Sequence, residues 1–154
     1  MTRFWIVALA LMASLAQKYI FSIETNDRVR IETVLGGPVV IEFEQKLIFG
    51  KSKGIFISLP IGTEVKALSA GQVVKSGFKG EYPDLGAEIR VSEDLILIYG
   101  CLGRLAVSNG DLIKPGQVIG YSAGGGDVCG QQGPGVKIRL KRKETYINPI
   151  GNLP

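Results

Sequence analysis

The chain has 154 residues, enough for one domain with a real core and a short appendage. Apolar residues make up 45% and charged residues 21%, which excludes a disordered chain. The net charge of +4 implies only weak attraction to anionic surfaces, and no basic stretch interleaved with aromatics points to nucleic acid.

The N-terminus opens with "MTR" and then "FWIVALALMASLA", residues 4–16, uncharged and nearly all apolar. As a helix this run spans about 20 Å, short of the ~30 Å core of a bilayer. Its basic start, apolar middle and the small residues Ser14 and Ala16 fit a secretory signal peptide cut before Gln17. A retained anchor running on to Ile23 is the alternative, with Lys18 snorkelling to the membrane edge. Residues 1–18 are therefore expected to be a signal peptide or membrane anchor, and the chain to be exported. In that setting Cys101 and Cys129 form either one disulfide or two free thiols. A bridge would close a loop of about 28 residues, for roughly 3–4 kcal/mol by chain entropy.

Beyond residue 24 the sequence predicts strands. Val29, Ile31 and Thr33 alternate with Arg28, Arg30 and Glu32, the period of a half-exposed strand. "GGP" turns the chain, and Val39 to Phe43 resumes an extended run. Residues 19–49 are accordingly expected to be N-terminal β-strands of the same domain. Further on, "GIFISL", "EVKAL", "GQVVKSG", "AEIRV", "LILIYG", "QVIGYS" and "VKIRLKR" read as short strands. Asx, proline and glycine turns such as "SEDL", "SNGD", "KPGQ" and "GGGD" separate most of them. The expected fold class is all-β, an open sandwich or barrel, with an N-terminal hydrophobic helix.

Five pieces then share an order. "SKGIFISLPIGTEVKALSAGQVVKSG" (52–77), "LILIYGCL" (95–102), "NGDLIKPGQVIGYSAGGG" (109–126), "GPGVKIRL" (133–140) and "INPIGNL" (147–153) follow one another along the chain. In that order they resemble the lysostaphin-type zinc endopeptidases that cut peptidoglycan cross-links. The resemblance implies the open β-sandwich called the duplicated hybrid motif, with residues 50–154 as a degenerate peptidase-like domain.

The departures matter most. In that family a histidine, an aspartate and the second histidine of a His-x-His pair hold the zinc. The resemblance places Ser52, Phe56 and Lys137 at those positions, and Cys101 and Gly135 at two further histidine positions. The chain contains no histidine. A catalytic zinc needs three ligands from His, Cys, Asp or Glu, so the resemblance implies that no metal, no cofactor and no hydrolysis by this route remain. Other catalysts are poorly served. Cys101 lacks an activating histidine, Lys137 would act as a base only with a depressed pKa, and Glu93 and Asp94 sit in a turn. Asp127 lies beside a "GGG" run without the rest of a phosphate loop.

On "GVKIRLKRK", alternation puts Lys137, Arg139, Lys141 and Lys143 on one face, with Ile138 and Leu140 opposite. By the resemblance that face is the former active-site groove, approached by Lys51, Ser52 and Lys53. It is either a solvated strand or a cleft attractive to carboxylates. The expected function is a non-catalytic envelope scaffold, regulator or binding module. A membrane-associated structural component of a virion or secretion assembly is the alternative. The expected partners are an envelope or assembly protein, peptidoglycan and, if the N-terminal segment stays, the membrane. An assembly component would also bind further copies of itself.

Overall fold

A computed structural model describes residues 2–48, 50–77, 85–124 and 133–154. One helix, α1 (Thr2–Leu35), precedes a run of short strands. These are β1 (Val39–Ile41), β2 (Lys46–Leu47), β3 (Gly50–Lys51), β4 (Ile55–Ser58), β5 (Glu64–Lys66) and β6 (Gly71–Ser76). Then come β7 (Leu85–Arg90), β8 (Leu95–Leu105), β9 (Leu112–Ile113), β10 (Val118–Ser122), β11 (Gly135–Arg142) and β12 (Thr145–Ile147).

The main sheet is antiparallel, in the order β1-β4-β11-β8-β7-β6-β9. β10 pairs with β8 and β5, and β12 shares with β4 the edge of β11. The turns behave as their residues require. At "KPGQ", Pro115 presets its own φ, Gly116 supplies φ +81°, and Gln117 N–H closes on Lys114 O at 3.1 Å. On β11 the expected alternation holds. Val136, Ile138 and Leu140 are fully buried, whereas Lys137, Arg139 and Lys141 are half-buried on the opposite face. The core joins these residues to Ile55, Ile57, Ile89, Leu97 and Tyr99. The Tyr99 hydroxyl accepts a hydrogen bond from Leu68 N–H at 2.9 Å. Burial pushes its pKa far above the usual tyrosine range.

The N-terminal third differs from the sequence expectation. Residues 28–33 are helix, and α1 runs unbroken to Leu35. The β-branched alternation at 29, 31 and 33 is overridden by a second period in the same residues. Ile31 and Leu35, four apart, are both buried in the core, and Val34 packs beside them. That is the stripe of a helix docked by one face. The strands of this region are confined to β1, β2 and β3. α1 stops at Gly36, whose φ of +85° lets its N–H and that of Gly37 turn back to Glu32 O.

Polar contacts fasten the docked turns. Arg28 donates to both carboxylate oxygens of Glu42, each at 2.8 Å. Asp27 accepts from Gly151 N–H at 2.9 Å, and Glu32 from Val39 N–H at 2.9 Å. No described residue covers the apolar part of the helix before those turns. From Trp5 to Phe21 its large apolar side chains are all more than half exposed. The helix is long and apolar enough to cross a membrane by length and composition.

Candidate functional site

Of the residues that the resemblance matches to the family's site positions, Phe56, Cys101, Gly135 and Lys137 fall on neighbouring strands, and Ser52 lies in the loop between β3 and β4. Register places Lys137 on β11 between Phe56 on β4 and Gly100 on β8. β8 carries one extra residue here. Tyr99 opposes Ala87 while Leu102 opposes Leu85 on β7. Within that bulge Cys101 adopts φ +63°, a left-handed backbone that histidine tolerates better than most residues. The bulge turns the Cys101 side chain into a small cluster with Phe56 and Ile41.

That cluster closes the position. Phe56 is only 3% exposed although it lies on the face opposite the main core. A Cβ added at Gly135 would meet Phe56 Cε1 at 2.7 Å and Cζ at 2.8 Å, and would also collide with the carbonyl oxygen of Ile57. Cys101 is disulfide-bonded. Cys129, together with residues 125–128 of the glycine-rich stretch and its Asp127, lies outside the described residues. Ser52 is buried, and its hydroxyl donates to Gly54 O at 2.7 Å within its own loop.

Zinc chemistry in this fold needs three side-chain donors around one metal. Phe56 and Gly135 offer none, Lys137 brings an ammonium, and the Ser52 hydroxyl and Cys101 sulfur are already engaged. This set does not fit a zinc ion. Among the described residues no three of His, Cys, Asp or Glu gather closely enough to hold a metal.

Phe56, Cys101, Gly135 and Lys137 are thus brought together. Lys51 and Ser52 line a hollow of about 320 Å³ with Phe43, Glu44, Lys53 and Tyr146. Arg139 joins this second group. Its guanidinium carbon and the Nζ of Lys53 are each 5.7 Å from the ring centre of Tyr146, and Lys141 Nζ is 5.8 Å away. Tyr146 is the residue that sequence reasoning missed. Its signal is the two-residue connection between β11 and β12, which pairs it directly with Lys141. Lys143, expected on the same face, sits instead in that connection at φ +53°. There it lines a larger open hollow with Arg90, Glu93, Asp94, Ile96 and Glu144. That hollow is at the opposite end of β8 and β11 from Phe56 and Cys101, and it mixes both charge signs.

This antiparallel β fold is shared with the lysostaphin-type peptidases. The sequence pattern of Peptidase family M23 matches residues 50–149, and the chain belongs to that family. The uncharacterized lipoprotein YgeR of Escherichia coli is 36% identical over 107 residues, covering 68% of this chain and 40% of that protein. The chain spans less than half the length of the curated relatives it matches. Among solved structures, a point-mutant catalytic domain of the prophage-encoded M23 protein EnpA from Enterococcus faecalis superposes with a TM-score of 0.60 at 25% identity. It covers 72% of this chain and 87% of its own. Lysostaphin from Staphylococcus simulans gives 0.68 at 21% identity, over 76% of this chain and 50% of that one. At that identity the likeness speaks for the fold.

Proposed function

We propose that this protein is a non-catalytic member of the M23 family that acts as a membrane-held binding or scaffolding module of the cell envelope. The observation that carries the reading is the closed metal position. A phenylalanine stands where the resemblance expects a carboxylate ligand, and Ile41 and Cys101 pack against it. Such a cluster stabilises the sandwich through apolar burial and offers nothing that would activate water. The envelope setting is supported by the exposed apolar part of α1 and by a relative named as a lipoprotein. α1 acts as a retained anchor, because the helix runs without a break into the turns docked on the sandwich. The half-buried cations Lys137 and Arg139 are the proposed contact for carboxylates of peptidoglycan or of an envelope protein.

Three measurements test this. The purified full-length protein, with zinc added and then dialysed, is assayed for bound metal and for release of peptide fragments from peptidoglycan sacculi. One zinc per chain together with fragment release would overturn the reading. Intact mass of protein from the membrane fraction decides between anchor and cleaved signal, because a mass lacking residues 1–16 removes the anchor. Salt-sensitive co-sedimentation with sacculi, lost in a Lys137→Glu/Arg139→Glu variant, supports the carboxylate contact. Protein that stays in the supernatant at low and high salt removes peptidoglycan as the ligand.

A further inference from the structure

β2 and β3 form a separate two-stranded hairpin, with Lys46 opposite Lys51 and Leu47 opposite Gly50. At its tip Ile48 is 79% exposed, and Leu47 is also exposed. Lys46, Lys51 and Lys53 flank these apolar residues and are all exposed. Between Glu44 and Glu64 the sequence contains no acidic residue.

The root of the hairpin lies beside α1. β1 runs back along the last turns of the helix, with Val39 at Glu32 and Glu42 at Arg28. The apolar segment of α1 ends at Ile23, five residues before Arg28 and so about 7.5 Å along the axis. From the hairpin's root, where Glu44 N–H donates to Ser52 O, four residues lead to Ile48, a reach of roughly 13 Å. The tip is therefore long enough to meet the surface of a bilayer holding α1.

Beside the hairpin, Lys53, Arg139 and Lys141 converge on Tyr146. The acids nearby are Glu44, which lines the hollow, and the exposed Glu144, 3.5 Å from Lys141. The Arg139 Nε is buried and makes no hydrogen bond to another described residue. Like charges gathered around one ring repel each other, and an anion between them relieves the repulsion.

We infer that the β2–β3 hairpin is a second membrane contact. Leu47 and Ile48 enter the boundary between headgroups and acyl chains of the bilayer that holds α1. Lys46, Lys51 and Lys53, with Lys141 beside Tyr146, bind the phosphates of anionic phospholipids. This rests on the membrane-held reading above. An apolar tip framed by lysines, on a chain whose helix α1 carries an uncharged apolar run over residues 4–16, matches a lipid surface in both polarity and charge.

The test uses the full chain reconstituted into vesicles of phosphatidylcholine alone or mixed with phosphatidylglycerol. Trp5 is the single tryptophan, so its quenching by doxyl-labelled acyl chains reports the anchor independently. An environment-sensitive fluorophore on Ile48→Cys reports the hairpin, and the same label on the exposed Ile61→Cys serves as control. The expected result is a blue shift and quenching at residue 48, in phosphatidylglycerol vesicles only, with none at residue 61. A Lys51→Glu/Lys53→Glu variant should lose that response and keep the Trp5 quenching. If Trp5 is quenched while residue 48 stays in water in both lipids, the hairpin contact is wrong and the anchor stands. An equal response in phosphatidylcholine alone removes the headgroup role. A blue shift without lipid that grows with protein concentration places a second copy on the tip and overturns the proposal. Unquenched Trp5 removes the anchor and the contact together.

Discussion

The ring of Phe56 stands where a side chain on residue 135 would have to begin, with its Cε1 2.7 Å from a Cβ built on Gly135. Two departures from the family's site pattern are therefore one packing event. With the ring at 56, residue 135 cannot gain a side chain without displacing it, and the Ile57 carbonyl crowds the same space.

A variant cycle checks this coupling. Gly135→Ala should cost about 1–3 kcal/mol, as overpacking does. For a chain of this size the thermal midpoint should fall on the order of 5 °C. In a Phe56→Ala background the same change should cost at least ~0.5 kcal/mol less, because the ring is gone. It should still cost something, because the Ile57 carbonyl remains. Strictly additive denaturation midpoints would show the two residues to be independent.

The docking of α1 divides unequally between apolar and charged contacts. Ile31 is fully buried, so Ile31→Ala should cost about 2–5 kcal/mol. In the Arg28–Glu42 pair one guanidinium nitrogen serves both carboxylate oxygens and both side chains are partly exposed, so Arg28→Ala should cost no more than about 1 kcal/mol. Chemical denaturation of both variants in the same detergent gives the ranking directly. The reverse order would make the ion pair the main clamp.

Tyr99 predicts a response to alkaline pH. Its folded pKa is raised by burial, more than offsetting the opposing effect of the Leu68 hydrogen bond. The unfolded chain therefore loses this proton near pH 10 while the folded chain keeps it. The contribution is fully present below about pH 10 and declines above it, by up to about 1.4 kcal/mol per pH unit. Tyr99→Phe should remove that part of the slope, and at neutral pH cost about 1–3 kcal/mol for the orphaned Leu68 N–H. An unchanged alkaline slope in the variant would count against Tyr99 as its source.

Reduction should weaken the domain. The disulfide at Cys101 sits in a bulge with a left-handed backbone, and breaking it should lower stability by about 2–4 kcal/mol. Thermal unfolding with and without reductant measures the loss. Equal midpoints would mean that the bridge contributes nothing to the folded state.

Much of this molecule is legible in its sequence, because the governing physics is local. The turns at "PIGT" and "KPGQ" need only proline's φ and glycine's left-handed freedom, so they could be read without knowing what they connect. The alternation on β11 follows from the two-residue period of a strand. That Phe56 and Gly135 have nothing to donate to a metal is likewise a matter of residue chemistry, wherever they lie.

Other features depended on which neighbours arrive from elsewhere in the chain. Residues 28–33 carry both a strand period and a helix period. The choice fell to helix because Ile31 and Leu35 together reach the sandwich core. Lys143 looked like a fourth cation of the β11 face until the two-residue connection to β12 turned it away. Tyr146 gathers three cations from β11 and a distant loop, which no spacing along the chain foretells. The sequence alone determined the turns, the strand faces and the residue types at the positions that the resemblance matches to the family's metal ligands. Only the tertiary structure decided that Phe56, Ile41 and Cys101 pack into one buried cluster, because packing is settled by side chains far apart in sequence competing for the same space.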